Sequence, residues 1–199
     1  NIKGLVGLGA FDAGAWRVLA IDICFNGSWF HPFQEAATVD APFTLLDGTQ
    51  QTVKMMSLTG EGFPYASGEN YQAIQLPYLS QDFVMTVLLP DQDQFLDFEA
   101  SLDREMFLQI LESMTYKEVD VKMPKFDFTT SVNAKEPLNT LGMGEAFFAD
   151  SADFSGMTDV EELFISDVLH KATITVDEQG TEAAAATVVI IRAASMPED

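Results

Sequence analysis

The chain has 199 residues, enough for one or two ordinary domains, and at 47% hydrophobic with 16 Phe it can bury a substantial core. Its 31 acidic against 10 basic side chains give a formal charge of −21, a surface that repels nucleic acid and anionic membrane. No apolar run reaches the roughly 18 residues of a membrane span, and the single cysteine, Cys24, excludes an internal disulfide.

The opening, NIKGLVGLGAFDAGAW, lacks an initiator Met and a basic segment before a long apolar one. It reads as the interior of a longer chain rather than a signal peptide. Trp16–Phe25, WRVLAIDICF, is a mostly apolar run that suits a buried strand or short helix, with Cys24 in it as an inert buried thiol. NGSW at 26–29 is expected to break it. APFTLLDGTQQTVKMM predicts a β-hairpin turning at Asp47-Gly48. YQAIQLPYL and FVMTVLLPD predict two further strands, each stopped by proline.

From Phe95 to Met114 the apolar positions Leu96, Phe98, Leu102, Met106, Phe107, Ile110 and Leu111 recur at helical spacing, with Ser101 as a candidate cap. YKEVDVKMPKF alternates as a half-buried strand. Asn133–Leu141 predicts a short helix ended by Gly142, and Ile165–Val176 alternates again over a long strand. Strands outnumber helices and do not follow a βαβ rhythm, which implies an α+β chain with antiparallel or mixed sheets in one domain.

Catalytic signatures are missing. His31 and His170 have no partner at metal-ligand spacing, and Cys24 completes no zinc set. No GxSxG, HExxH, phosphate loop or GxGxxG occurs. GLVGLGA at 4–10 lacks a preceding strand and the phosphate-loop lysine, so it reads as a turn. Dispersed carboxylates are too common here to specify a site. The expectation is a protein that is not an enzyme, with no metal and no cofactor.

The closing stretch, DEQGTEAAAATVVIIRAASMPED, mixes signals. TEAAAAT suits a surface helix, whereas Gly180 ahead of it and the β-branched TVVII behind it favour a strand. As a strand, one face carries Thr181, Ala183, Ala185, Thr187, Val189 and Ile191, with no charge. The other carries Glu182, Ala184, Ala186, Val188, Ile190 and Arg192. The uncharged face is the one expected to be buried.

VLHKATITVDEQGTEAAAAT resembles the hinge signature of serpins, the loop-inserting protease inhibitors. FNGSW followed by PF at 32–33, APFTLLDGTQQTVKMM, AIQLPYLSQDFVMTVLLPD, VDVKMPKF, LNTLGMGEAF and ADFSGM match serpin motifs in serpin order, over essentially the whole chain. The resemblance implies a serpin fold, a large mixed β-sheet with surrounding helices, of which 1–199 is an incomplete part of a single domain. The other part or parts of the same serpin would be its partner. A secreted or extracellular location is implied by the family alone.

The resemblance also assigns parts. Residues 178–197 would form the reactive-centre loop. Glu178, Gln179, Gly180 and Thr181 would be its proximal hinge, and Glu182, Ala183, Ala184, Ala185 and Ala186 its leading edge. The family's usual count from the hinge glutamate places the reactive bond at Ala194–Ser195. A small residue there suits elastase-like proteases, while Arg192 offers a competing bond to trypsin-like ones. After cleavage the loop would enter the main sheet as an added strand and trap the acyl-enzyme.

Three physical demands fit that mechanism. Gly180 gives a flexible start. An uncharged inward face avoids a buried unpaired charge. Thr181–Arg192 spans about 40 Å as a strand, and about a dozen backbone hydrogen bonds supply on the order of 10 kcal/mol.

Trp29 and Lys125 match the region where the loop first inserts, with Lys125 pairing Glu178; Trp29 reads equally as a large core residue. His170 matches the histidine beneath the sheet centre, but Ile21 stands where its usual asparagine partner belongs. The rival functions are a non-inhibitory serpin acting as carrier or chaperone, a cross-class inhibitor of cysteine proteases, and an unrelated enzyme with a dispersed acidic site.

Overall fold

A computed structural model of the chain describes residues 15–158 and 162–193. It separates into two compact units. One comprises Asn1–Phe25, Asp127–Ile174 and Ala183–Asp199; the other comprises Asn26–Phe126 and Thr175–Glu182.

The first unit is organised by a four-stranded sheet in the order β1 (Ala15–Ser28), β9 (Gly180–Ala193), β8 (Leu163–Val176), β7 (Phe126–Asn133). The alternating run Ile165–Val176 lies in β8, as its period of two requires, and β8 begins two residues earlier at Leu163. The tail is a strand rather than a helix. Fourteen residues of β9 lie between β1 and β8, so ladder pairing overrides the helical preference of four alanines. A buried cluster of Phe147, Leu163, Ile165, Val168 and Ile191 is the core of this unit. Phe147 comes from the irregular helical turns after α3 (Lys135–Leu138), where Gly142 takes a φ of 102° that few side chains tolerate.

β1 is not broken at NGSW. It continues through Ser28, because ladder hydrogen bonds outweigh the turn preference of Asn-Gly-Ser. Cys24 is exposed rather than buried.

The second unit contains an antiparallel sheet in the order β2 (Val39–Thr44), β3 (Gln50–Ser67), β4 (Tyr71–Pro77), β5 (Val84–Pro90), with β6 (Thr115–Pro124) also pairing β3. The β2–β3 hairpin turns through Gly48 at φ 81°, and Asp47 Oδ1 accepts from the Thr49 N–H at 2.9 Å. The β3–β6 ladder shifts register between Leu58 and Glu61, a bulge centred on Gly60 at φ 77°.

The helical run at 95–114 is two helices, α1 (Phe95–Ser101) and α2 (Arg104–Ser113). The cap is Asp103, whose Oδ1 accepts from the Met106 N–H at 2.8 Å. Ser101 instead donates to the Phe98 carbonyl at 2.9 Å, ending α1. Phe98 and Ile110 pack with Ala66 and Ala73 of the sheet. No helix among the described residues is long and apolar enough to cross a membrane.

Candidate functional site: the β8–β9 turn and strand β9

Only Asp177, Glu178 and Gln179 connect β8 to β9. The turn is built by its aspartate. Asp177 Oδ1 accepts from the N–H groups of Gln179 and Gly180, at 2.9 and 3.2 Å, and the Asp177 N–H donates to the Gly180 carbonyl at 3.0 Å. Such an Asx turn lets a side chain satisfy backbone donors that no strand reaches.

Trp29 and its neighbours hold this turn within the second unit. The Trp29 N–H donates to the Gln179 carbonyl and the Phe33 N–H to the Glu178 carbonyl, both at 2.9 Å. The Trp29 indole donates to the Asp177 carbonyl at 2.9 Å. Trp29 is buried, and its polar edge faces the turn. Its ring stacks on Tyr78, with centroids 4.7 Å apart and planes 11° apart.

Glu178 is only 6% exposed. Its carboxylate accepts from Lys125 Nζ and from Thr38 Oγ1, each at 2.8 Å. The Lys125 hydrogen bond holds the Glu178 pKa below its ordinary value, against the opposing effect of burial. The same bond raises the pKa of Lys125.

Thr181 is 4% exposed, and its hydroxyl accepts from the Tyr78 phenol at 2.9 Å. Gly180 is required by closeness rather than by an unusual φ. A Cβ placed on it would overlap the Gly27 carbonyl oxygen and lie 2.9 Å from Ser28 Cα, and backbone cannot move aside as a side-chain tip can. Glu182 stays exposed, so its charge keeps its water.

Farther along β9, in the first unit, polar contacts thin out. His170 Nδ1 lies 2.8 Å from Thr187 Oγ1, so the histidine finds a hydroxyl on β9 although residue 21 is Ile. Ser166 Oγ donates to the Ile190 carbonyl at 3.2 Å. Aliphatic burial dominates here, and it departs from the uncharged-face expectation. Ala186, Val188 and Ile190 are buried, as are Thr181 and Ile191 on the other face. Ala183, Ala184, Ala185, Thr187, Val189 and Arg192 are half-buried. A central strand has two covered faces, so the absence of charge on one does not select it.

Ala194 and Ser195 lie outside the described residues. His31 stands apart from the turn, with Nδ1 3.3 Å from Glu61 Oε2. No group of three metal-ligating side chains occurs among the described residues. Tyr78, Thr38 and Thr187 are not singled out by sequence reasoning. Tyr78 had a faint signal, an aromatic after the proline that closes β4.

The family model described as Serpin (serine protease inhibitor) matches residues 1–199. The chain belongs to the serpin family. A leukocyte elastase inhibitor of Bos taurus is 38% identical over all of this chain and 55% of its own length. The ovalbumin of emu (Dromaius novaehollandiae) superposes with a TM-score of 0.91 at 29% identity, over 100% of this chain and 52% of that one. A loop-inserted, cleaved ovalbumin mutant also superposes with a TM-score of 0.91, at 26% identity, over 96% of this chain and 51% of that one. This serpin chain therefore spans about half the length of the relatives it matches.

Proposed function

We propose that the protein carrying this chain inhibits serine proteases as a suicide substrate and is not itself an enzyme, with 1–199 forming part of one inhibitory domain. A protease serine attacks the Ala194 carbonyl and the Ala194–Ser195 bond breaks. The Ser195 amine leaves, and the Ala194 acyl group stays on the protease. Insertion of the strand behind that acyl group then outruns hydrolysis.

The observation that carries this reading is the place of β9 between β1 and β8. A strand in that position gains hydrogen bonds on both edges, on the order of 10 kcal/mol over its length at about 1 kcal/mol net per bond. That is comparable with the stability of a whole domain. The small residue at the proposed bond and the elastase-inhibitor relative favour elastase-like targets, and Arg192 leaves a trypsin-like protease as the second target.

The test is incubation of the full-length protein with an elastase-like and a trypsin-like protease, followed by denaturing gel and mass measurement of the released peptide. An SDS-stable complex with a peptide beginning at Ser195 is expected. A peptide beginning at Ala193 moves the bond to Arg192. Complete cleavage by both proteases with no stable complex overturns inhibition in favour of a carrier or chaperone.

A further inference from the structure

We propose that Tyr78 is the positioning residue that receives the loop's first inserted side chain, and that it selects a hydroxyl at residue 181. The inference rests on the inhibitory reading above and deepens it.

Contacts other than the Thr181 bond hold the receptor in place. Tyr78 follows β4, and its N–H donates to the Phe83 carbonyl at 3.1 Å. Its neighbours bind the end of β1: the Phe30 N–H donates to the Pro77 carbonyl at 2.9 Å, and the Leu79 N–H to the Ser28 carbonyl at 2.8 Å. An isolated bridge joins Trp29 and Tyr78 directly. The ring lies flat on the Trp29 indole, which in turn meets the Phe33 ring edge-on, with centroids 6.4 Å apart. Aromatic packing thus sets where the phenol points.

That phenol is in a dry place. Tyr78 and Thr181 are both buried, and burial pushes the Tyr78 pKa up, so the group stays protonated and donates. A buried donor facing a hydroxyl discriminates against an isostere without one, because the isostere removes the acceptor that the donor faces. Valine has the shape of threonine and lacks its oxygen. The adjoining residue adds a steric condition, since Gly180 alone lets the chain pass the Gly27 carbonyl. Together they fix the register of β9 at its first residues, and a one-residue slip would invert every later side chain.

The consequence is kinetic. Insertion competes with deacylation, so a weaker first contact diverts inhibitor into simple cleavage. The test compares Tyr78→Phe, Thr181→Val, the double variant and Thr181→Ser in the full-length protein. Two quantities are read: inhibitor molecules cut per protease trapped, and the melting temperature of the protein before and after loop cleavage. Each of Tyr78→Phe and Thr181→Val should raise the cut-to-trapped ratio about fivefold or more and lower the melting temperature of the cleaved form. The double variant should cost much less than the two losses combined, and Thr181→Ser should behave as wild type. Strictly additive losses in the cleaved form overturn the receptor role, as does a Tyr78→Phe variant with wild-type partitioning and wild-type melting. Absence of any trapped protease from the wild type defeats the inhibitory reading instead. The coupling in the cleaved form then still decides the role of Tyr78.

Discussion

The two ends of β9 are held by different physics. Its head, Gly180–Glu182 with the turn before it, is held by directional bonds: the Asp177 side chain, the Trp29 backbone and indole, and the Tyr78 phenol on Thr181. Its body, from Ala183 onward, is held by aliphatic burial around Val188, Ile190 and Ile191, with one hydroxyl facing His170. Directional bonds specify register, whereas burial is non-directional and scales with area. The head is thus suited to decide where the strand starts, and the body, under the proposed inhibitory mechanism, to make insertion favourable.

The strongest way to break the comparison is a charge at the head. Thr181→Arg places a guanidinium where the side chain is buried, at an expected cost of about 3–5 kcal/mol. The variant should be cut by the target protease without forming an SDS-stable complex; a persistent complex would contradict the role given to the head.

A loss in the body should be large in energy yet leave register intact. Ile190 is 2% exposed, and Ile190→Ala should destabilise the cleaved form by about 3 kcal/mol, read from denaturant midpoints. The Tyr78–Thr181 coupling should be unchanged in that background, since distant sites add.

Lys125→Met deprives the buried Glu178 carboxylate of its ammonium partner and should cost about 1–3 kcal/mol. The pH dependence sharpens this. Because the folded pKa of Glu178 is lowered, its contribution is complete above the ordinary carboxylate value and is lost as pH falls through the lowered one. The raised pKa of Lys125 makes its contribution complete below the ordinary ammonium value and lost only as alkaline pH rises through the raised one. Denaturation followed from neutral to acid pH should show a shallower acid loss in the variant than in wild type. Parallel curves would contradict the coupling. The smallest effect expected is that of Thr187→Val, which removes the hydroxyl facing His170 and should cost about 1 kcal/mol, read from denaturant midpoints of the cleaved form.

Much of the fold was legible because it rests on local pattern. The hairpin at Asp47-Gly48 and the alternation of Ile165–Val176 need only period and turn chemistry, and β2, β3 and β8 follow. Where a tertiary ladder competes with local preference, the ladder wins: NGSW does not end β1, and the alanines of β9 do not coil. The cap moved from Ser101 to Asp103 because residue spacing alone does not say where one helix ends and the next begins. The meeting of Tyr78 with Thr181 could not be read at all, since 103 positions separate them and they lie on the segment after β4 and on β9, which only the tertiary fold brings together. The Thr187–His170 contact is hidden likewise, since only the pairing of β8 with β9 sets the two side chains together.

The central claim is that β9 is more stable as an internal strand than as a free loop. Its most direct test is the melting temperature of the full-length protein before and after a single cut in the loop. A gain on the order of 10 kcal/mol predicts a rise of at least about 10 °C on cleavage. An unchanged or lowered melting temperature in a cleanly cut, still folded protein would contradict the account.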